Sequence, residues 1–331
     1  MNNKAVALLS GGMDSILAAR IALEMGIEVH GIFMKTVFFS NKKGDKVQLV
    51  QKTAESINIP VSIIDIERQY MEVLHNPKHG FGRNSNPCID CHTFFLKKAK
   101  EFMPVVDATF IITGEVVGQR PMSQHMEMLL QIEKEAGCKG KVLRPLCGKL
   151  LPKTLMEEEG IIRRDDLLDL SGRTRNRQME LVREYKMKVE THSGGGCLLT
   201  DIGFGARMLD YLKYYPVDDY IHIKLLVIGR HFRLSENVKV IVGRDQQENE
   251  KIYAARKIGA VIFPIEEIPG PTALVIGDFE REDLLKAASL VSRYSDGSGT
   301  KKIVIRNGRK EEIIDIGEMP DEELNPLRII Q

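Results

Sequence analysis

The stretch Ser10-Gly11-Gly12-Met13-Asp14-Ser15 decides the fold. It follows the short apolar run Ala5-Val6-Ala7-Leu8-Leu9 and precedes an amphipathic stretch from Asp14 to Met25. A strand, a glycine turn and a helix in that order make an anion site. The glycines bring backbone N–H groups against phosphate oxygens with no Cβ in the way, and the helix N-terminus adds partial positive charge. Ser10 and Ser15 add hydroxyl donors. Asp14 would repel bare phosphate but suits a Mg²⁺ ion. The plainer reading is a Gly-rich turn with Asp14 as a helix cap. No Gly-Lys-[Ser/Thr] ending follows, which argues against a Walker-type loop.

Outward from this loop, strands and helices alternate. Glu28 to Met34, Val61 to Ile66 and Thr109 to Thr113 read as strands, while Lys46 to Asn58, Thr93 to Phe102 and Ser123 to Ala136 read as helices. Helices of this length between strands imply right-handed crossovers and a parallel sheet sandwiched by helices. Ligands on such sheets bind at the carboxyl ends of strands, where the motifs after Leu9 and after Thr113 both fall. Lys153 to Lys188 is charged and helical in pattern, and Ser193-Gly194-Gly195-Gly196-Cys197 marks a boundary or a returning loop. Later, Tyr220 to Ile228, Val238 to Val242, Val261 to Phe263, Ala273 to Ile276, Lys302 to Ile305 and Glu311 to Ile316 read as strands. With helices over Gln247 to Lys257 and Glu280 to Tyr294, they make a smaller α+β domain. The expected division is 1–190 for the nucleotide domain, 191–210 for the Gly-rich loop and linker, and 211–331 for the α+β domain.

Bulk composition limits the function classes. Across 331 residues, 43% are apolar, 28% are charged and the net charge is +1, so a folded protein with no overall basicity is expected. No apolar run approaches the roughly 20 residues that cross a bilayer, and Met1-Asn2-Asn3-Lys4 runs straight into a strand. A cytoplasmic location without membrane partners is therefore expected. There the five cysteines (Cys88, Cys91, Cys138, Cys147, Cys197) suggest metal or thiol chemistry rather than disulfides.

The loop at residues 10 to 15 resembles the signature of the PP-loop ATP pyrophosphatases, whose fold is adenine nucleotide alpha hydrolase-like. Those enzymes cleave ATP between the α- and β-phosphates and adenylate an acceptor oxygen. The resemblance implies that pyrophosphate rests on Ser10, Gly11, Gly12 and Ser15, with Mg²⁺ on Asp14. It places adenine near Phe33 and Met34.

A second motif runs Thr113-Gly114-Glu115-Val116-Val117-Gly118-Gln119-Arg120 through Ser123-Gln124, with Leu143-Arg144-Pro145-Leu146 downstream. Gly114 and Gly118 permit a loop close to a ligand, with Glu115, Gln119 and Arg120 as polar groups above the sheet. The segment resembles tRNA 4-thiouridine synthases over residues 4 to 160. It departs from them in lacking the THUMP and rhodanese regions, so the RNA-docking surface and the sulfur donor must differ.

Pro87-Cys88-Ile89-Asp90-Cys91-His92 puts two thiols at metal-ligand spacing, and Cys197 is the strongest third candidate, with His92 and His192 as further ligands. A structural zinc, a redox dithiol and an iron–sulfur cluster all fit that spacing. The chain resembles PP-loop tRNA thiolases that pair Cys-x-x-Cys with a distant cysteine. That resemblance implies a [4Fe–4S] cluster on Cys88, Cys91 and Cys197, with one iron open to sulfide, zinc being the alternative.

Arg163, Arg164, Arg173, Arg175 and Arg177, followed by Lys186 and Lys188, read either as a phosphate-backbone patch or as a solvated face. Gly229-Arg230-His231-Phe232-Arg233-Leu234, with Gly243-Arg244-Asp245, is similar to the RNA-binding domain of the NFACT family. That similarity implies RNA contact through Arg230, Arg233 and Arg244. Together these readings predict an ATP-dependent tRNA sulfurtransferase acting with sulfide or another sulfur donor, its homodimerisation left open. The rivals are a PP-loop ligase or sulfur-inserting enzyme for a small molecule, and a nucleotide- and RNA-binding protein with a structural zinc.

Overall fold

The computed structural model describes residues 1–38, 46–187, 197–217 and 219–329. Contacts divide the chain into two units, Met1–Cys197 and Leu198–Gln331. The division falls inside the stretch read as a linker. Of that stretch, residues 191–196 lie outside the described residues, and 198–210 group with the second unit.

The first unit is a parallel sheet with helical crossovers. Its elements run β1 Lys4–Leu8, α1 Met13–Glu24, β2 Glu28–Lys35, α2 Lys46–Glu55, β3 Val61–Asp65, α3 Glu67–His75 and α4 Cys88–Phe102. They continue with β4 Phe110–Ile112, α5 Met126–Ala136, β5 Val142–Leu143, α6 Leu155–Glu158 and α7 Asn176–Glu184. The strand order is β3-β2-β1-β4-β5, every pair parallel. Winding reverses between β1 and β4, so the crevice at the switch point lies beyond the ends of those two strands. The phosphate loop follows β1 and the Thr113–Gln124 segment follows β4. The fold thus sets the two motifs side by side.

α1 is held by burial rather than by a side-chain cap. Ile16, Leu17, Ala18, Ala19, Ile21 and Ala22 join Ala5, Ala7, Phe110 and Ile112 of the sheet in one core. Each fully buried branched side chain contributes about 1.5–3 kcal/mol. The charged stretch from Lys153 to Lys188 is not one helix: Gly160 and Gly172 take φ of +72° and +80° and break it into α6, a 3₁₀ turn at Arg164–Asp166 and α7. Glycine enters that left-handed region without steric penalty.

The second unit contains α8 Ile202–Tyr214, α9 Tyr220–Leu225, β6 Arg230–Arg233, β7 Val238–Val242, α10 Gln246–Ala254 and β8 Ala260–Pro264. It ends with β9 Ala273–Gly277, α11 Arg281–Tyr294, β10 Lys301–Asn307, β11 Lys310–Ile316 and α12 Asp321–Leu327. The six-stranded sheet has the order β11-β10-β8-β9-β7-β6 with every pair antiparallel. Along β7, Val240 and Val242 pack in the cluster that holds Leu290 and Val291 of α11, while Ile241 packs in the one that holds Ile252 of α10. The smaller α+β domain is therefore as expected in class. The sequence reading leaves α8, β6 and α12 unassigned, and one stretch takes a different form. Tyr220 to Ile228, read as a strand from its alternating apolar residues, is mostly helix, because Asp219 Oδ1 accepts from the N–H groups of Ile221 and His222 and caps it. Among the described residues no helix is long and apolar enough to cross a membrane.

Candidate functional site

Ser15 organises the phosphate loop. Its Oγ donates to Gly12 O at 2.9 Å and accepts from Ser10 N at 3.2 Å, and Ser10 Oγ lies 3.2 Å from it. Gly11 sits at φ +73°, a backbone conformation that disfavours any side chain. A Cβ there would meet Val50 Cγ2 at 3.1 Å and Lys46 Cε at 3.9 Å. Lys46, the first residue of α2, thus lies over the loop, and nothing local in the sequence marks it.

Gly114 explains how the second motif reaches the first. A Cβ at that position would fall 2.5 Å from the carbonyl carbon and oxygen of Asp14 and from Ser15 N. Only a glycine lets the loop after β4 touch the start of α1. From the same loop, Gln119 Nε2 donates to Asp14 Oδ2 at 2.7 Å, and Arg175 Nη2 stands 3.4 Å from that oxygen. Asp14 Oδ1 and Gln119 Oε1 are buried with no partner among the described residues. An unpartnered carboxylate oxygen and an unpartnered amide oxygen, on two side chains joined by a hydrogen bond, are hard donors of the kind that suits Mg²⁺.

Phe33 and Met34, expected beside adenine, are 1% and 6% exposed. Phe33 belongs to the core around α1, so its ring packs into that core.

The cysteine motif forms the first turn of α4. Cys88, Cys91 and His92 fall at i, i+3 and i+4, and so share one helix face. Asp90 Oδ1 and Oδ2 accept from the N–H groups of Lys78 and His79 at 3.0 and 3.1 Å, fixing the preceding chain. Asn86 Nδ2 donates to Cys88 Sγ at 3.3 Å, and Tyr70 Oη lies 3.0 Å from Cys91 Sγ. Burial pushes the Cys91 thiol well above the usual cysteine range, and the neighbouring Cys197 and Cys88 push it further. Burial likewise raises Tyr70, with Cys91 and Cys197 adding to it.

Cys197 is exposed, yet it acts through space on Cys91, Tyr70 and Lys46. The glycines before it, and His192, lie outside the described residues. Among the described residues no three His, Cys, Asp or Glu side chains group closely enough to hold a metal ion. The donor chemistry still fits a thiophilic centre: two thiols on one turn, each in contact with a polar group, and a third within electrostatic reach. None of the five cysteines is in a disulfide. Cys138 and Cys147 are buried away from this turn, Cys147 with its Sγ 3.2 Å from Glu115 O.

His92 is not free to serve as a fourth ligand through both nitrogens. Its Nδ1 lies 2.7 Å from Glu115 Oε1, and its Nε2 is 3.4 Å from Ser123 Oγ. Glu115 also accepts from Thr113 Oγ1 at 3.0 Å and Arg144 Nε at 2.9 Å, and Arg144 reaches Glu133 as well. Burial alone would raise the Glu115 carboxyl, but Arg144 and His92 outweigh it and hold it at about 2. The Thr113–Gln124 loop therefore grips the phosphate loop through Gln119 and the cysteine helix through Glu115.

The arginine cluster splits by partner. Arg163, Arg164 and Arg177 pair with Asp166, Glu157 and Glu180 in their own segment, whereas Arg175 reaches Asp14. Lys188 lies outside the described residues. In the second unit, Arg233 pairs with Asp210 at 2.7 Å and Arg244 Nε donates to Glu248 at 2.9 Å. Arg230 instead donates to Gly243 O at 3.1 Å and lies 4.7 Å over the Tyr294 ring, with no carboxylate partner among the described residues.

Residues 1–155 match the family described as thiamine biosynthesis protein (ThiI), and residues 229–328 match the NFACT protein RNA binding domain. Among curated proteins, the tRNA-specific 2-thiouridylase MnmA of Campylobacter curvus is 31% identical over 94 residues, 28% of this chain and 28% of that protein. The tRNA-specific 2-thiouridylase MnmA 2 of Clostridium botulinum is 32% identical over 127 residues, 34% of this chain and 35% of that one. The chain thus spans about a third of the length of these relatives. A solved 4-thiouridine synthetase–RNA complex with bound ATP superposes with a TM-score of 0.36 at 20% identity, covering 55% of this chain and 51% of that chain. The resemblances drawn from residues 10–15, 113–146 and 229–245 agree with the two family matches.

Proposed function

We propose that this chain is an ATP-dependent tRNA sulfurtransferase that adenylates a uridine carbonyl oxygen and replaces it with sulfur. The observation that carries this reading is the double grip of one loop: Gln119 on Asp14 and Glu115 on His92. A pyrophosphatase needs only the first contact. The second ties the nucleotide crevice to a pair of thiols one turn apart, which is where sulfur chemistry would follow activation. The family match over residues 1–155 and the 2-thiouridylase relatives supply the substrate class.

The uridine oxygen would attack the α-phosphorus, forming an O–P bond as the bond to pyrophosphate breaks. The phosphate loop would hold the departing pyrophosphate on its N–H groups, Ser10 and Ser15. Sulfide would then add to the activated carbon, and AMP would leave with the former carbonyl oxygen. One proton is released as C=S forms. Mg²⁺ on Asp14 and the Gln119 amide oxygen would screen the pyrophosphate charge. A [4Fe–4S] cluster on Cys88, Cys91 and Cys197, with zinc as the alternative metal, would supply an iron position open to sulfide. The residues around it do the positioning: Asn86 and Tyr70 orient the sulfurs, and Glu115 fixes the His92 ring.

RNA would be engaged by the second unit, on the strength of its match to an RNA binding domain. Arg230 is its best-placed cation, since Asp210 and Glu248 already neutralise Arg233 and Arg244. The deciding experiment is nucleoside analysis of tRNA from cells lacking this protein, together with ATP consumption by the purified protein. A missing thionucleoside and ATP consumption that rises with tRNA are expected. An unchanged nucleoside profile would favour a small-molecule substrate.

A further inference from the structure

Apart from the crevice at the strand ends, the first unit holds a cavity of about 700 Å³ at the open edge of its sheet, beyond β5. α5, the turn before β5 and the chain from Gly148 to Glu157 enclose it. Its floor is apolar, with Leu130, Val142 and Leu151. That size and lining suit a small molecule.

The charges around it are unequal in a way that selects a ligand. Three carboxylates line the cavity and each is satisfied: Glu133 by Arg144 and Gly140 N, Glu135 by Lys78 and His79, Glu157 by Thr154 and Arg164. Four lysines also line it: Lys78 pairs with Glu135, whereas Lys134, Lys139 and Lys153 have no ion pair or side-chain hydrogen bond among the described residues. Arg144, 1% exposed, completes the lining, and its Nη2 is buried with no partner among the described residues. An unpaired guanidinium N–H is costly to bury, so an acceptor at that position would stabilise the site.

We propose that this cavity binds a small phosphorylated molecule with a planar or apolar body, of mononucleotide size. The body would lie on the leucine floor, and the phosphate would take the unpaired cations. The site does not depend on the thiolation reading. It shares Arg144 with Glu115, so its occupancy bears directly on the pairing that orients His92.

The test is protection of lysines from an amine-acylating reagent, read residue by residue by mass spectrometry on the full chain. The probe is 5′-AMP, with the phosphate loop saturated by α,β-methylene-ATP. Protection of Lys134, Lys139 and Lys153, with the exposed Lys97 unprotected, is expected. In Lys134→Gln/Lys139→Gln, a change to two exposed side chains, the AMP concentration that protects Lys153 should rise about tenfold, the factor set by a lost charge-assisted hydrogen bond. No protection by AMP, or protection by tRNA alone, would overturn the proposal. If the ATP analogue fails to bind while AMP still protects these lysines, the nucleotide reading of the phosphate loop fails and this site stands.

Discussion

His92 Nδ1 lies 2.7 Å from Glu115 Oε1, and this contact joins two motifs that are separate in sequence. Glu115 is buried, 7% exposed, and anchored from behind by Arg144, itself paired with Glu133. The result is a largely buried chain of ion pairs and hydrogen bonds running from Glu133 of α5 to His92 of α4. A network of this kind specifies one geometry when fully satisfied, and leaves a buried charge exposed to its own desolvation cost when broken.

Removing the centre of that chain should be expensive. Glu115→Gln leaves Arg144 with one carboxylate and His92 with none, a loss of about 3–5 kcal/mol by analogy with other broken buried pairs. The carboxyl is held at about 2 against an ordinary 4.5, so its contribution is complete above 4.5 and fades as pH falls toward 2. Urea unfolding at pH 5 and pH 3 should show the native protein losing more stability on acidification than Glu115→Gln. Equal losses would mean that Glu115 is not the titrating group.

Asp14→Asn keeps the side chain's shape and leaves the backbone packing on Gly114 untouched, so folding should survive. It removes the charge that suits a cation and alters the oxygen left unpartnered at Oδ1. Turnover of ATP should fall about a hundredfold, as when a single preorganised electrostatic group is lost, and the Mg²⁺ concentration needed for half-maximal rate should rise. Titration of Mg²⁺ at saturating ATP checks this. Gly114→Ala should fail differently, through a Cβ 2.5 Å from the Asp14 carbonyl, by losing stability before activity is assayed.

The cysteines divide into two sets. Cys88→Ser, Cys91→Ser and Cys197→Ser should each lower the iron retained after anaerobic reconstitution and reduce the associated visible absorption. Cys138→Ala should not, because that thiol is buried beside α5 and near Leu96 O. Iron and zinc analysis on the same samples separates a cluster from a single zinc ion. Full iron retention by Cys197→Ser would remove it from the proposed ligand set.

Much of this was legible in the sequence because it is local. The strand before Ser10, the glycine turn and the apolar face of α1 read directly from residue spacing, as do Cys88 and Cys91 on one turn. What escaped is long-range or capped. Arg175, just before α7, reaches Asp14 at the other end of the first unit's sequence, and its composition suggested a phosphate-backbone patch or a solvated face. Lys46 comes to Gly11 because β2 and α2 fold back over the loop, which no short window reveals. Tyr220 to Ile228 alternates like a strand, but one carboxylate at Asp219 caps a helix there. β6 was missed because Arg230 and Arg233 flank only two buried residues, His231 and Phe232.

The arginines of the second unit provide the sharpest test of RNA contact. Arg233 and Arg244 resemble phosphate ligands in sequence, yet each is paired with a carboxylate that is largely buried. Arg244→Ala would leave Glu248, 3% exposed, without its main partner, so a loss of RNA affinity there would be confounded by a loss of stability. Arg230 is different: among the described residues its guanidinium is held by a carbonyl and by the Tyr294 ring, with no carboxylate. Arg230→Gln should keep the fold, weaken tRNA binding and reduce the slope of log affinity against log salt by about one, as expected for a single lost phosphate contact. Binding measured at several salt concentrations decides it, with thermal unfolding of each variant as the control. If Arg230→Gln binds tRNA with the native slope, this face does not carry the RNA backbone.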